Sequence, residues 1–294
     1  MTPTYLLNNN IFMQALNTTY ILLITTIMIS LFCSNKRVMY SVMSITVLSA
    51  FYQGIINIIG LSALAVFSAI TYAYFNFPQL NKVIRTLLFI LLSVCFAVFA
   101  FHKVPGFFNV IAISNLQLSK ASMPFSMYLN FDKVMPALII FAMSDLSILE
   151  RSKSERVVKY TLFSLLSCIA IIITLVLVSG YVLFEPKLPD ILLIWMINNF
   201  FFVCFSEEVF FRGFIQKTLQ NLLPKQQMLA LVIASLIFGV AHFQGGLTYV
   251  ILSSTCGFFY GYAYYKTNKI LCSMMVHFGL NLSHLLLFTY PALI

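Results

Sequence analysis

Ten apolar runs, most of them long enough to cross a bilayer, confine this chain to folding in lipid. They can be drawn at about 11–33, 39–57, 61–77, 84–102, 134–149, 158–184, 190–206, 227–243, 247–265 and 270–289, the fifth being short. A soluble domain carries roughly 25% charged residues. Here 9% of 294 residues are charged, 61% are hydrophobic and the mean hydropathy is +0.96. The expected fold class is all-α, a polytopic transmembrane bundle of about eight to ten helices.

The net charge of +9 does not point to nucleic acid, because the basic residues fall in short clusters between apolar runs, as topology determinants do. If every run crosses, Lys36 and Arg37, Lys82 and Arg85, Arg151, Lys153, Arg156 and Lys159, Arg212, Lys217 and Lys225, and Lys266 and Lys269 share one side. Lys103, Lys120, Lys133 and Lys187 share the other. The positive-inside rule makes the larger set cytoplasmic and both termini external. Nothing basic precedes the first run and no small-residue cleavage pattern follows it, so it reads as a retained helix. The six cysteines lie in or at the ends of apolar runs with no CxxC pair, so they read as packing residues.

The chain divides unevenly. No acidic residue precedes Asp132 and none follows Glu208, while three of the four histidines lie beyond residue 185. Residues 1–184 read as transmembrane helices with almost no polar groups in their spans, and 185–294 as the part in which an intramembrane site should lie. The prolines of EPKLPD, 185–190, mark a connector. The segment 103–133 is too polar to span and too apolar for a free loop. It reads as a connector packed on the bundle or an interfacial lid anchored by Phe107, Phe108, Phe125 and Tyr128. His102 beside Lys103, and Asp132 beside Lys133, read as interfacial.

The polar groups of the second part concentrate in three short stretches. In SEEVFFRGF, 206–214, Glu208 and Arg212 are four apart and stack on one helix face, an acid preceding a base at the favourable spacing. Glu207 is turned about 100° away and needs a partner or a function, since an uncompensated carboxylate in lipid costs several kcal/mol. FGVAHF puts His242 one turn beyond Phe238, and HFGLN puts His277 and Asn281 on one face. His284, seven residues past His277, is about 10 Å further along that face and reads as outside a single site.

Each histidine or asparagine alone is as well explained by an interhelical hydrogen bond. Together they suit hydrolysis. A carboxylate beside an imidazole can deprotonate water, and a His/Asn pair can donate to an oxyanion. Glu207, His242 and His277 are equally suitable zinc ligands, and residue types alone leave that alternative open. HExxH, GxSG, GxGD and nucleotide-binding glycine loops are missing.

EEVFFR (207–212), FGVAH (238–242) and HFGLN (277–281) resemble, in order, the EExxxR, FxxxH and HxxxN motifs of the CAAX protease and bacteriocin-processing family, also called Abi. The resemblance covers roughly 190–290. Gly257 and Gly261 form a GxxxG on the intervening helix, which also resembles the family. It implies an Rce1-like intramembrane endopeptidase domain at 185–294, acting on a membrane-associated peptide or protein without a metal cofactor. On that mechanism Glu207 is the general base, His242 positions the water, His277 and Asn281 form the oxyanion hole, and Glu208 with Arg212 orients the motif helix. The family's bacterial spread implies a bacterial plasma membrane. A non-catalytic scaffold or immunity protein, and a transporter using Glu207 and the histidines as a proton relay, are the rivals from other classes.

The spans as drawn place Glu207 at one end of its helix and His242 at the opposite end of the next. For the two to meet, the helix carrying Glu207 must continue through about Gln216, as the pattern of EEVFFRGFIQ allows, or the following helix must start earlier and tilt.

Overall fold

The computed structural model describes residues 17–33, 35–77, 79–144, 146 and 154–293. Among these residues it is an all-helical polytopic architecture of ten helices with one two-stranded hairpin. The chain forms two compact units, 1–114 with 126–146, and 115–125 with 147–294. Arg151 and Lys153, the first residues of the run at 11–33 and most of the last ones of the run at 134–149 lie outside the described residues.

Unit 1 holds α1 (Thr18–Phe32), α2 (Lys36–Tyr52), α3 (Ile58–Asn76), α4 (Lys82–Ala100) and α5 (Phe131–Met143). Asparagine starts the first four. Asn17, Asn35, Asn57 and Asn81 each sit at the N-cap in extended conformation, and each side-chain oxygen accepts main-chain N–H groups of the first turn. In lipid no water replaces such a cap, so these four residues set where the helices begin. Thr26 and Thr46 join α1 to α2 by a 2.8 Å hydroxyl bond, and Thr19 with Ser49 repeats it at 2.8 Å.

Helix α5 is apolar on all faces because protein covers it. From Val134 to Ala142 every side chain is buried. Its 13 residues span about 20 Å, too short to cross. The segment 103–133 contains the hairpin, β1 (Val110–Leu116) and β2 (Phe125–Leu129). At its base in unit 1 the buried Tyr20 hydroxyl donates to Leu129 O at 2.9 Å. His102 and Asp132 are paired there, Nδ1 to Oδ2 at 2.7 Å, and Asn109 donates to the other carboxylate oxygen at 2.8 Å.

Unit 2 holds α6 (Ser154–Ser179), α7 (Leu192–Leu222), α8 (Gln227–Val240), α9 (Gly246–Thr267) and α10 (Ile270–Leu287). Helix α7 runs unbroken for 31 residues and widens into π-helical geometry at Asn199–Cys204 and Val209–Gln216, on either side of the two glutamates. The continuation through Gln216 is present. Between α8 and α9 the axis bends by 59° at a 3-10 turn, Phe243–Gly245, where Gly246 has φ +80°, a conformation only glycine takes without strain. The two runs drawn at 227–243 and 247–265 are therefore one bent pair. Among the described residues five helices are long and apolar enough to cross a membrane, or six if the bent pair is one span, against the ten runs drawn from hydropathy.

The GxxxG glycines seat α9. A side chain at Gly257 would meet Phe238 Cδ1 at 3.1 Å and Ser235 O at 3.2 Å, and one at Gly261 would meet Gln216 Oε1 at 2.6 Å. Helix α9 thus packs against α8 and the second π segment of α7 so closely that a Cβ at either glycine would require its neighbours to shift.

Candidate active site

Glu207 and Glu208 fall near the middle of α7, and both are buried. Adjacent residues point apart, yet the two carboxylates bracket one imidazole from α10. Glu208 Oε1 is 2.8 Å from His277 Nδ1, and Glu207 Oε2 is 3.9 Å from His277 Nε2. The ring is wide enough to reconcile the 100° divergence with a shared neighbour.

Glu208 is fully enclosed and serves as the hub. Arg212 Nε donates to its Oε2 at 3.0 Å, the Ser273 hydroxyl donates to the same oxygen, and His277 Nδ1 donates to the other. Arg212 is also completely buried, its guanidinium 5.0 Å from the Phe238 ring centroid and 5.9 Å from that of Tyr260. Tyr260 in turn stacks on His277, centroids 4.4 Å apart at 15°. His277 is thereby fixed in orientation and tautomer, its Nδ1 proton committed to Glu208.

His242 lies at the elbow between α8 and α9, just past the helix end. Its Nδ1 donates to Phe238 O at 2.8 Å, one turn earlier, so Nε2 faces Glu207 Oε2 at 4.0 Å. The bend answers the depth problem. Glu207 is mid-helix because α7 is 31 residues long, and α8 is short enough to end beside it. Asn281 is one turn beyond His277, donates to Asn199 Oδ1 at 3.3 Å and, with His242 and His277, lines a cavity of about 110 Å³.

All six residues singled out in the sequence thus gather in unit 2. The buried Asn199, which orients Asn281, and Ser273, which bonds Glu208, were missed. Ser273 precedes His277 by four residues and shares its face, a signal that was legible. Asn199 carries none. His284, expected outside the site, lines the same cavity. The apolar wall comes from α6 and the strand-like segment after it, including Ile172, Ile173, Val176 and Val182. Beyond the end of α10, Tyr290 accepts from Trp195 Nε1 at 3.0 Å, and burial pushes its phenol up to about 12.

The zinc alternative can be tested on spacing. Both imidazoles have Nδ1 held by an acceptor, as ligating histidines do. Two ligands about 2.1 Å from a tetrahedral metal stand about 3.4 Å apart. The separations of 3.9 and 4.0 Å from Glu207 are wider, and no group of three or more His, Cys, Asp or Glu among the described residues is arranged to hold a metal ion.

The fold and site together define an integral membrane helical protein with a buried carboxylate–histidine cluster opening on a cavity. Residues 189–283, about a third of the chain, match the family model of Rce1-like proteins, type II CAAX prenyl endopeptidases. This part of the chain is therefore similar to a family of type II CAAX prenyl endopeptidases. No curated protein and no solved structure matches the chain.

Proposed function

We propose that the protein is an intramembrane endopeptidase that hydrolyses a peptide bond of a membrane-associated peptide or protein by a water activated at Glu207, without a metal cofactor. The observation that carries this reading is the pair of 4.0 and 3.9 Å separations from Glu207 Oε2 to the Nε2 atoms of His242 and His277. One water at about 2.8 Å from each atom bridges a gap of that size.

Glu207 takes a proton from this water as oxygen attacks the carbonyl carbon, and His242 Nε2 accepts the second water hydrogen and aims the lone pair. The oxyanion receives hydrogen bonds from Asn281 Nδ2 and from His277 Nε2. Because His277 already gives its Nδ1 proton to Glu208, donation from Nε2 requires the imidazolium, and Glu208 is placed to hold that charge. The C–N bond then breaks and the leaving amine takes the proton from Glu207. Glu208 and Arg212 are positioning residues.

The same reading puts the chain in a bacterial plasma membrane, on the bacterial spread of the family that its motifs resemble. Substrates range over CAAX-type tails and bacteriocin-like or signalling peptides.

The experiment is cleavage of a membrane-peptide library by purified protein in liposomes, wild type beside Glu207→Gln, each with and without a zinc chelator. Cleavage that survives chelation and is lost in Glu207→Gln supports the reading. Loss on chelation with recovery on added zinc moves it to a metalloprotease, and a cellular phenotype that survives Glu207→Gln moves it to a scaffold.

A further inference from the structure

His284 lies one residue beyond the family match, on the α10 face that carries His277, and lines the same cavity. Its ring is locked. Nε2 contacts Thr289 O at 3.2 Å, and a carbonyl only accepts, so Nε2 carries the proton and Nδ1 presents a lone pair. Among the described residues nothing donates to Nδ1. The cavity it lines also holds Val182, Leu280 and Phe288, the Lys187 amine bonded to Phe288 O lies within electrostatic reach, and the ring packs against Tyr290 with centroids 5.1 Å apart. An acceptor in such surroundings is satisfied when an occupant of the cavity brings a donor.

Seven residues of helix advance about 10 Å with almost two full turns. An extended peptide covers that distance in about three residues, at roughly 3.3 Å each. The only donor that every peptide offers at such a point is a main-chain N–H. We infer that His284 is a substrate-binding residue whose Nδ1 accepts a hydrogen bond from the substrate main chain about three residues from the scissile bond, holding the peptide extended along the cavity. This rests on the protease reading. It also makes the site selective for unfolded or strand-like segments, since a helical substrate has that N–H occupied by its own carbonyl.

The test takes the library peptide that wild type cleaves fastest and a series of its analogues, each N-methylated at one position, against wild type, His284→Ala and His284→Asn. His284→Ala should raise KM about tenfold with kcat within about twofold, the worth of one neutral hydrogen bond. One N-methylated analogue, modified about three residues from the cleaved bond, should show the same rise with wild type and no further rise with His284→Ala. His284→Asn keeps an acceptor oxygen near the Nδ1 position and should recover most of the affinity, which also controls for folding. Independent, multiplicative effects of methylation and substitution, or an unchanged KM in His284→Ala, would overturn the inference while leaving the protease reading standing. Failure of wild type to cleave any peptide, or equal cleavage by Glu207→Gln, removes both.

Discussion

Replacing Arg212 by methionine isolates the energetics of the hub. Arg212 and Glu208 are both fully buried and bonded at 3.0 Å, so the substitution keeps much of the side-chain volume and leaves the Glu208 carboxylate facing only Ser273 and His277. Breaking a buried pair in this way costs about 3–5 kcal/mol, most of it the desolvated charge left behind rather than the value of the pair. The loss of the guanidinium from between Phe238 and Tyr260 falls within that range. The two sources separate in a second variant. Adding Glu208→Gln to Arg212→Met removes the stranded charge while its amide oxygen still accepts from Ser273 or His277, and should recover about half of the loss. Equilibrium unfolding in mixed micelles, for wild type, both single variants and the double, measures the coupling. A cost below about 1 kcal/mol for Arg212→Met, or a double variant as unstable as the sum of the singles, would refute the argument that Glu208 is a buried charge held by Arg212.

Gly261→Val should cost about 1–3 kcal/mol in the same unfolding assay, because its Cβ would lie 2.6 Å from Gln216 Oε1 and 3.3 Å from Leu231 Cγ, forcing α9 away from α7 and α8. Asn199→Ala removes the acceptor that holds Asn281 and should lower kcat about tenfold in peptide cleavage with little change in KM, since the oxyanion donor is mispositioned only as charge develops. Tyr20→Phe leaves the buried Leu129 carbonyl without its donor and should lower unfolding stability by about 1–3 kcal/mol, read from the thermal midpoint.

The pairs at i and i+4 were legible in the chain and are present in the structure. Glu208 bonds Arg212, Phe238 O receives His242, and His277 and Asn281 line one cavity. Helical periodicity holds even where α7 loosens into π geometry, because the partners are long enough to absorb the change. His284 was misjudged for a related reason. A rise of 10 Å separates it from His277, but a cavity that follows the helix axis takes in both. The run at 134–149 was drawn with the spans because apolarity does not say whether lipid or protein covers a helix. The 59° elbow at 243–246 was invisible to hydropathy, although its glycines were there to be seen.

The sequence by itself determined that the chain is a helical membrane protein, that its intramembrane polar groups concentrate in its second part, and which six side chains could share a site. Those conclusions follow from apolar length and from the cost of polar groups in lipid, both of them local properties. Only the tertiary structure decided that His242 sits at an elbow beside the middle of α7, that Glu207 faces two imidazoles while Glu208 anchors one of them, and that Asn199 and Ser273 hold the arrangement. These depend on where three helices end, bend and approach one another, which is set by contacts between residues up to 82 positions apart that no local pattern records.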